Sequence, residues 1–169
     1  MDYVGQPEFR HDTPSRCGIL LVNLGTPDAP QPGAVRRYLA EFLRDPRVIE
    51  LPRLLWLPLL YGVILPFRSR RSAHAYAQVW TSEGSPLLAF TNALASTLQQ
   101  AFAAADRPIV VRTAMRYGNP SIASIIAEMR RAGVRRLLVL PLYPQYSATT
   151  TASVFDGVAA ALNKERWLP

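Results

Sequence analysis

The residues of this 169-residue sequence best suited to chemistry lie in short polar stretches, each behind an apolar run. Asn23-Leu24-Gly25-Thr26-Pro27 follows the first run, Met115-Arg116-Tyr117-Gly118-Asn119-Pro120 the second, and Tyr143-Pro144-Gln145-Tyr146-Ser147 the third. An arginine so placed can form a two-point pair with a carboxylate, a task for which lysine is a poor substitute. Tyr146, followed by Ser147, Thr149, Thr150 and Thr151, offers a ring and hydroxyls that would stack on or orient a flat ligand; the same hydroxyls also suit the cap of a following helix. Ser85, between Gly84 and Pro86, resembles a nucleophile at first sight, but a serine ahead of proline fits a helix N-cap with proline at the first helical position.

What these stretches lack is equally informative. They hold no carboxylate, histidine or cysteine, so they form no complete acid–base site. Gly25 and Gly33 are eight residues apart and no Gly-x-Gly-x-x-Gly opens a helix, which argues against a dinucleotide role. Walker, zinc and serine–histidine–acid patterns are missing as well. Cys17 is the single cysteine, accompanied by His11 and His74 alone, so neither an intrachain disulfide nor a thiolate- or histidine-rich metal site is expected. A reducing cytoplasm is the simplest compartment.

The polar stretches must be carried by regular elements. Gly18 to Leu24, Ile109 to Ala114 and Leu137 to Leu142 read as strands of a parallel sheet buried on both faces. Val35, Tyr38, Leu39, Phe42 and Leu43 mark one face of a helix ended by Asp45-Pro46, and Ile122, Ile125, Ile126 and Met129 mark another, stopped by Gly133. Leu87 to Phe102 is expected to turn Leu87, Phe90, Leu94, Leu98 and Phe102 inward, and Thr151 to Leu162 to close the fold. The alternation predicts an α/β domain with an open, mainly parallel sheet of about four strands flanked by helices. Residues 1–16 read as a disordered leader without the apolar core of a secretory signal, and 17–169 as one domain. In such sheets ligands sit outside the carboxyl ends of the strands, where the three polar stretches fall.

Residues 47–86 do not continue the alternation. Leu54 to Leu65 is apolar but spans twelve residues and contains Pro58 and Gly62, whereas a membrane-crossing helix needs about 20 apolar residues. With Arg68, Arg70 and Arg71 behind it, the stretch reads either as core plus solvated charges or as an apolar lip for an amphipathic ligand or a membrane surface, expected to be partly exposed. The net charge of +7, arginine in all but Lys164, favours anionic partners. A basic peripheral-membrane or nucleic-acid-binding α/β module is the alternative reading of another class; a nucleic-acid module should interleave aromatic and basic residues on one surface, so nucleic acid is not the expected partner, and 54–71 is the segment open to peripheral membrane contact.

Four ordered motifs carry a resemblance. Leu20 to Pro27, then Tyr76 and Trp80 leading into Gly84-Ser85-Pro86-Leu87, then Met115-Arg116-Tyr117-Gly118, and Pro141 to Ser147 are similar in order and spacing to the ferrochelatase family. The resemblance implies one of two similar α/β domains, with a porphyrin bound in the cleft between them and the lip at its edge. It implies Fe²⁺ and protoporphyrin IX as substrates, no required cofactor, and heme as product. The histidine and glutamate that handle iron and protons in that family belong to a C-terminal catalytic domain absent from this chain; neither His11 nor His74 takes that role. By the same resemblance Leu24, Tyr76 and Ser85 would touch the macrocycle, Arg116, Tyr117 and Tyr146 would form the wall, and Arg68 or Arg71 would hold a propionate. Leu24, where some coproporphyrin-using relatives carry tyrosine, favours protoporphyrin, with coproporphyrin or another tetrapyrrole as the alternative.

Overall fold

Eleven residues from Arg16 to Thr26 form β1, the middle strand of a three-stranded parallel sheet in the order β2-β1-β3, with β2 Ile109–Gly118 and β3 Val134–Pro141. The computed structural model describes residue 5 and residues 14–165. Most of the leader therefore lies outside the described residues, but Arg16 already pairs with Val134, which moves the start of the domain ahead of it. Leu21 sits between Thr113 and Leu140 in the two ladders. A side-chain period of two sends Leu20 and Val22 to one face and Leu21 to the other, and all three are fully buried. Each such burial stabilises the domain by roughly 2 kcal/mol.

The helices complete the layers. α1 (Pro32–Arg44), α4 (Pro86–Ala104), α5 (Ile122–Arg131) and α6 (Ser153–Leu162) appear where the periodicity predicts helices. α5 and α6 cover Leu20 and Val22 through Ile122, Ile126, Met129, Val154 and Val158, and α4 covers Leu21 and Val111. The expected inward face of α4 needs correction. Phe90 is 76% and Leu94 42% exposed, and the stripe against the sheet is Thr91, Ala95, Leu98 and Phe102. Small Thr91 and Ala95 let the helix come close to the sheet, and the Thr91 hydroxyl is satisfied by the Leu87 carbonyl and the Asn23 amide.

Residues 47–86, expected to be irregular, are mostly helical. α2 (Arg53–Leu59), a wide π turn (Leu60–Ile64) and α3 (Leu65–Val79) follow one another without a break. Pro58 and Pro66 flank that turn and each lacks a backbone donor, so the ladder is already interrupted on both sides of the wider turn. Leu60 and Leu65 are fully buried against Val35, Leu39 and Leu43 of α1, whereas Leu54, Leu55, Leu59 and Val63 stay exposed. The lip is thus partly exposed, as anticipated, and pinned by its inward face.

Three strands rather than about four stand among the described residues, because only three apolar runs have strand length without a helical period and the fourth apolar run forms α2 and its π turn. Gln99 closes the free edge of β2 by donating to the Ile109 carbonyl and accepting from the Val111 amide, both at 2.8 Å. β3 leaves Leu138 and Leu140 exposed on its outer face.

At the carboxyl ends, β1 and β2 approach more closely than side chains allow. Gly25 has φ +117° and Gly118 φ +80°; a Cβ on Gly25 would overlap the Tyr117 carbonyl, and one on Gly118 would lie 2.6 Å from the Thr26 carbonyl. Gly25→Ala is expected to cost about 3 kcal/mol or more in urea unfolding, since it adds both left-handed strain and overlap. Gly33→Ala, in open space within α1, is expected to be neutral or stabilising by up to about 1 kcal/mol. Equal effects at the two positions would refute the close-approach argument.

Candidate functional site

The three stretches leave the carboxyl ends of adjacent parallel strands, and a residue outside them ties the second to α1 and α6. Asp45, at the end of α1, is 6% exposed, and its Oδ2 accepts from an Arg116 Nη, the Tyr117 hydroxyl and the Ser153 hydroxyl, each at 2.7 Å. Its Oδ1 accepts from the Arg47 amide at 2.8 Å. Arg116 also donates through Nε to the Ser153 carbonyl and hydroxyl, and its guanidinium stands 4.5 Å from the Tyr117 ring centroid. One carboxylate therefore links α1, the end of β2 and the start of α6.

Electrostatics follow from this packing. Burial alone would raise the Asp45 carboxyl, but the bonds from Ser153, Tyr117 and the Arg47 amide, with the Arg116 charge, hold it below the usual carboxylate range. The Tyr117 hydroxyl is pushed well up, mainly by burial, and stays protonated to donate. Tyr38, which donates to the Gly25 carbonyl at 3.2 Å, is raised for the same reason.

Leu24, Tyr76 and Tyr117 pack on one apolar cluster with Tyr38. Tyr76 meets Tyr38 and Trp80 edge-on, with centroids 6.4 and 6.3 Å apart, and burial raises its hydroxyl. Tyr117 is only 1% exposed, its ring against Phe42 and its hydroxyl on Asp45, so it is a core residue and not the exposed wall residue that the resemblance implies. Arg116 has its carboxylate partner inside the domain. Ser85 is the N-cap residue of α4 with Pro86 next, as the sequence suggested, but its side chain makes no cap bond. The hydroxyl run is engaged in capping: Ser147 and Thr150 form a reciprocal box at the π turn Ala148–Ala152, and Tyr146 remains 74% exposed. Arg68 and Arg71 are exposed and line an apolar groove of about 510 Å³ with Val63, Phe67 and Ala75. Among the described residues no group of three or more histidine, cysteine or acidic side chains gathers, and no helix is long and apolar enough to cross a membrane.

Sequence comparison decides the family. The Ferrochelatase family model matches residues 16–169. The chain belongs to the ferrochelatase family. It is 55% identical to the ferrochelatase of Marinobacter nauticus, 54% to that of Idiomarina loihiensis and 53% to that of Methylibium petroleiphilum, each across the whole of this chain. Those matches occupy 46 to 47% of the relatives, so the chain spans about half the length of the curated ferrochelatases it matches.

Asp45 and Ser153 are the residues that sequence reasoning passed over. Asp45 did carry a signal: an acid at a helix C-terminus faces the negative end of the dipole and needs positive partners elsewhere. Ser153 carried none. Asp45→Ala leaves half-buried Arg116 and buried Tyr117 without their carboxylate partner and is expected to destabilise the domain by about 3 kcal/mol. Since the folded carboxyl is depressed, its contribution is present above the unfolded value of about 3.9 and is lost as pH falls through the folded value. Urea unfolding at pH 7 and pH 3 should therefore show a wild-type advantage over Asp45→Asn that shrinks in acid. An advantage independent of pH would contradict the assignment.

Proposed function

We propose that this domain supplies the porphyrin-binding wall of an iron chelatase, a lyase of heme biosynthesis that inserts Fe²⁺ into protoporphyrin IX to form protoheme. Family membership over residues 16–169 carries the reading. The exposed lip ahead of two arginines supports it, because a porphyrin pairs a large apolar ring with two carboxylates. Fe²⁺ and protoporphyrin are substrates, and no cofactor is required.

In this reading each side chain has a physical task. Leu54, Leu55 and Leu59 receive the ring, and Arg68 and Arg71 hold its propionates by charge-assisted hydrogen bonds. Leu24, Tyr76 and Tyr146 form the surface on which the ring rests, while Ser85, buried at the start of α4, lies beneath it. Tyr117 and Arg116 brace that surface through Asp45, limiting the ring's freedom before metal arrives. Asp45, one of the carboxylates bonded to these stretches, is ionised but turned inward and occupied by donors, so it is unsuited to take pyrrole protons. Proton removal and metal delivery are assigned to a second domain in the other half of the family's length. The same exposed leucines, with the arginines of 54–71, suit peripheral contact with an anionic membrane from the cytoplasmic side.

Absorbance titration with protoporphyrin, followed by Zn²⁺ or anaerobic Fe²⁺, tests this. The chain by itself is expected to bind porphyrin weakly and not to metallate it, since one wall removes only part of the ring's apolar area from water, at roughly 25 cal/mol per Å². Arg68→Gln with Arg71→Gln should weaken binding about tenfold. A polypeptide that includes the second domain should metallate. Turnover by the chain alone at a rate comparable to the longer polypeptide would overturn the division of labour, as would binding indifferent to both arginines.

A further inference from the structure

A second polar feature lies between α1 and α6, on a groove of about 620 Å³ whose arginines Arg37, Arg44 and Arg53 the porphyrin reading does not use. Arg37, Arg44, Arg53 and Arg116 line it, together with Glu41, Asp45 and Asp156. The two signs are not equally available. Asp45 is filled by its internal donors and Asp156 is held by Arg47 through both oxygens, whereas exposed Glu41 accepts only the neutral Gly118 amide at 2.8 Å and keeps its charge. On the positive side, Arg37 has only a 3.5 Å contact with exposed Asp28. Arg44 and Arg53 take part in no ion pair among the described residues. Arg53 instead donates to the Arg44 carbonyl at 2.9 Å, which keeps its guanidinium beside the end of α1 with its other donors spare. Two guanidinium groups without a carboxylate partner share one concave surface with Ala40, Pro46 and Ala160, and with exposed Glu41 as the one unpaired carboxylate in that lining the surface stays net positive.

We infer that this groove binds a small multivalent oxyanion, held by Arg44 and Arg53 with Arg37 at its rim. The forked donors suit oxygens arranged on one phosphorus or carbon, and phosphate and carboxylate present that chemistry alike. Isothermal titration of the 169-residue chain at about 0.15 M salt, where exposed charges beyond about 8 Å are largely screened, with inorganic phosphate, pyrophosphate and citrate distinguishes the sources. A one-site saturable isotherm is expected for at least one of the three. Affinity should fall about tenfold or more in the Arg44→Gln/Arg53→Gln variant, and measurably in Arg53→Lys, which keeps the charge and loses the fork. Arg131→Gln/Arg136→Gln, at the amino end of the sheet, should leave it unchanged. All four substituted side chains are exposed, and thermal unfolding without anion should be alike in wild type and variants. Absence of saturable binding with all three probes overturns the inference; so does binding that survives the Arg44/Arg53 change, or that falls equally in the Arg131/Arg136 variant.

Discussion

A single buried carboxylate organises the carboxyl end of this domain. Asp45 ends α1, and three separate elements reach it with donors: the β2 terminus through Arg116 and Tyr117, the head of α6 through Ser153, and its own following loop through the Arg47 amide. An anion at a helix C-terminus is unfavourable by itself. Here it is offset by one full positive charge and three neutral donors, and a group so arranged is much costlier to break than to form. Arg116, by sequence the obvious ligand for an external carboxylate, is therefore first a structural cation.

Around that node the chain separates apolar surface into two kinds. Leu60 and Leu65 lock the 53–79 helical segment onto α1, while Leu54, Leu55 and Leu59 on neighbouring turns face outward. The π turn rotates the apolar stripe between the two prolines, so one short run serves both core and surface. An exposed strip of this kind beside Arg68 and Arg71 is what an amphipathic anion or an anionic membrane would seek. The arginines of the α1–α6 groove differ in character: they are set among small side chains rather than leucines, which selects for a compact, highly charged ligand over a greasy one.

The strands, most of the helices and the family were legible in the sequence because they depend on local period and on motifs in order. Buried parallel strands must be continuously apolar, and Gly18 to Leu24, Ile109 to Ala114 and Leu137 to Leu142 are. Gly25 and Gly118 flank motif residues and prove to be the points where two backbones meet. The face of α4 was not legible, since Thr91 reads as polar until Leu87 and Asn23 are seen to satisfy it. Nor was the helical form of 53–79, because Pro58 and Gly62 are local breakers that tertiary packing of Leu60 and Leu65 overrides.

By itself, then, the sequence determined the α/β alternation, the carboxyl-end location of the polar stretches, the apolar lip and the ferrochelatase membership, all properties of residues near one another along the chain. Tertiary structure alone decided which donors meet which acceptors. Asp45 is 71 residues from Arg116 and 108 from Ser153. No local period encodes such a meeting; it exists because β2 runs beside β1 and α6 returns over the same end of the sheet. The same closure occupies Asp45 and Asp156 beside the neighbouring groove and leaves its arginines with donors to spare.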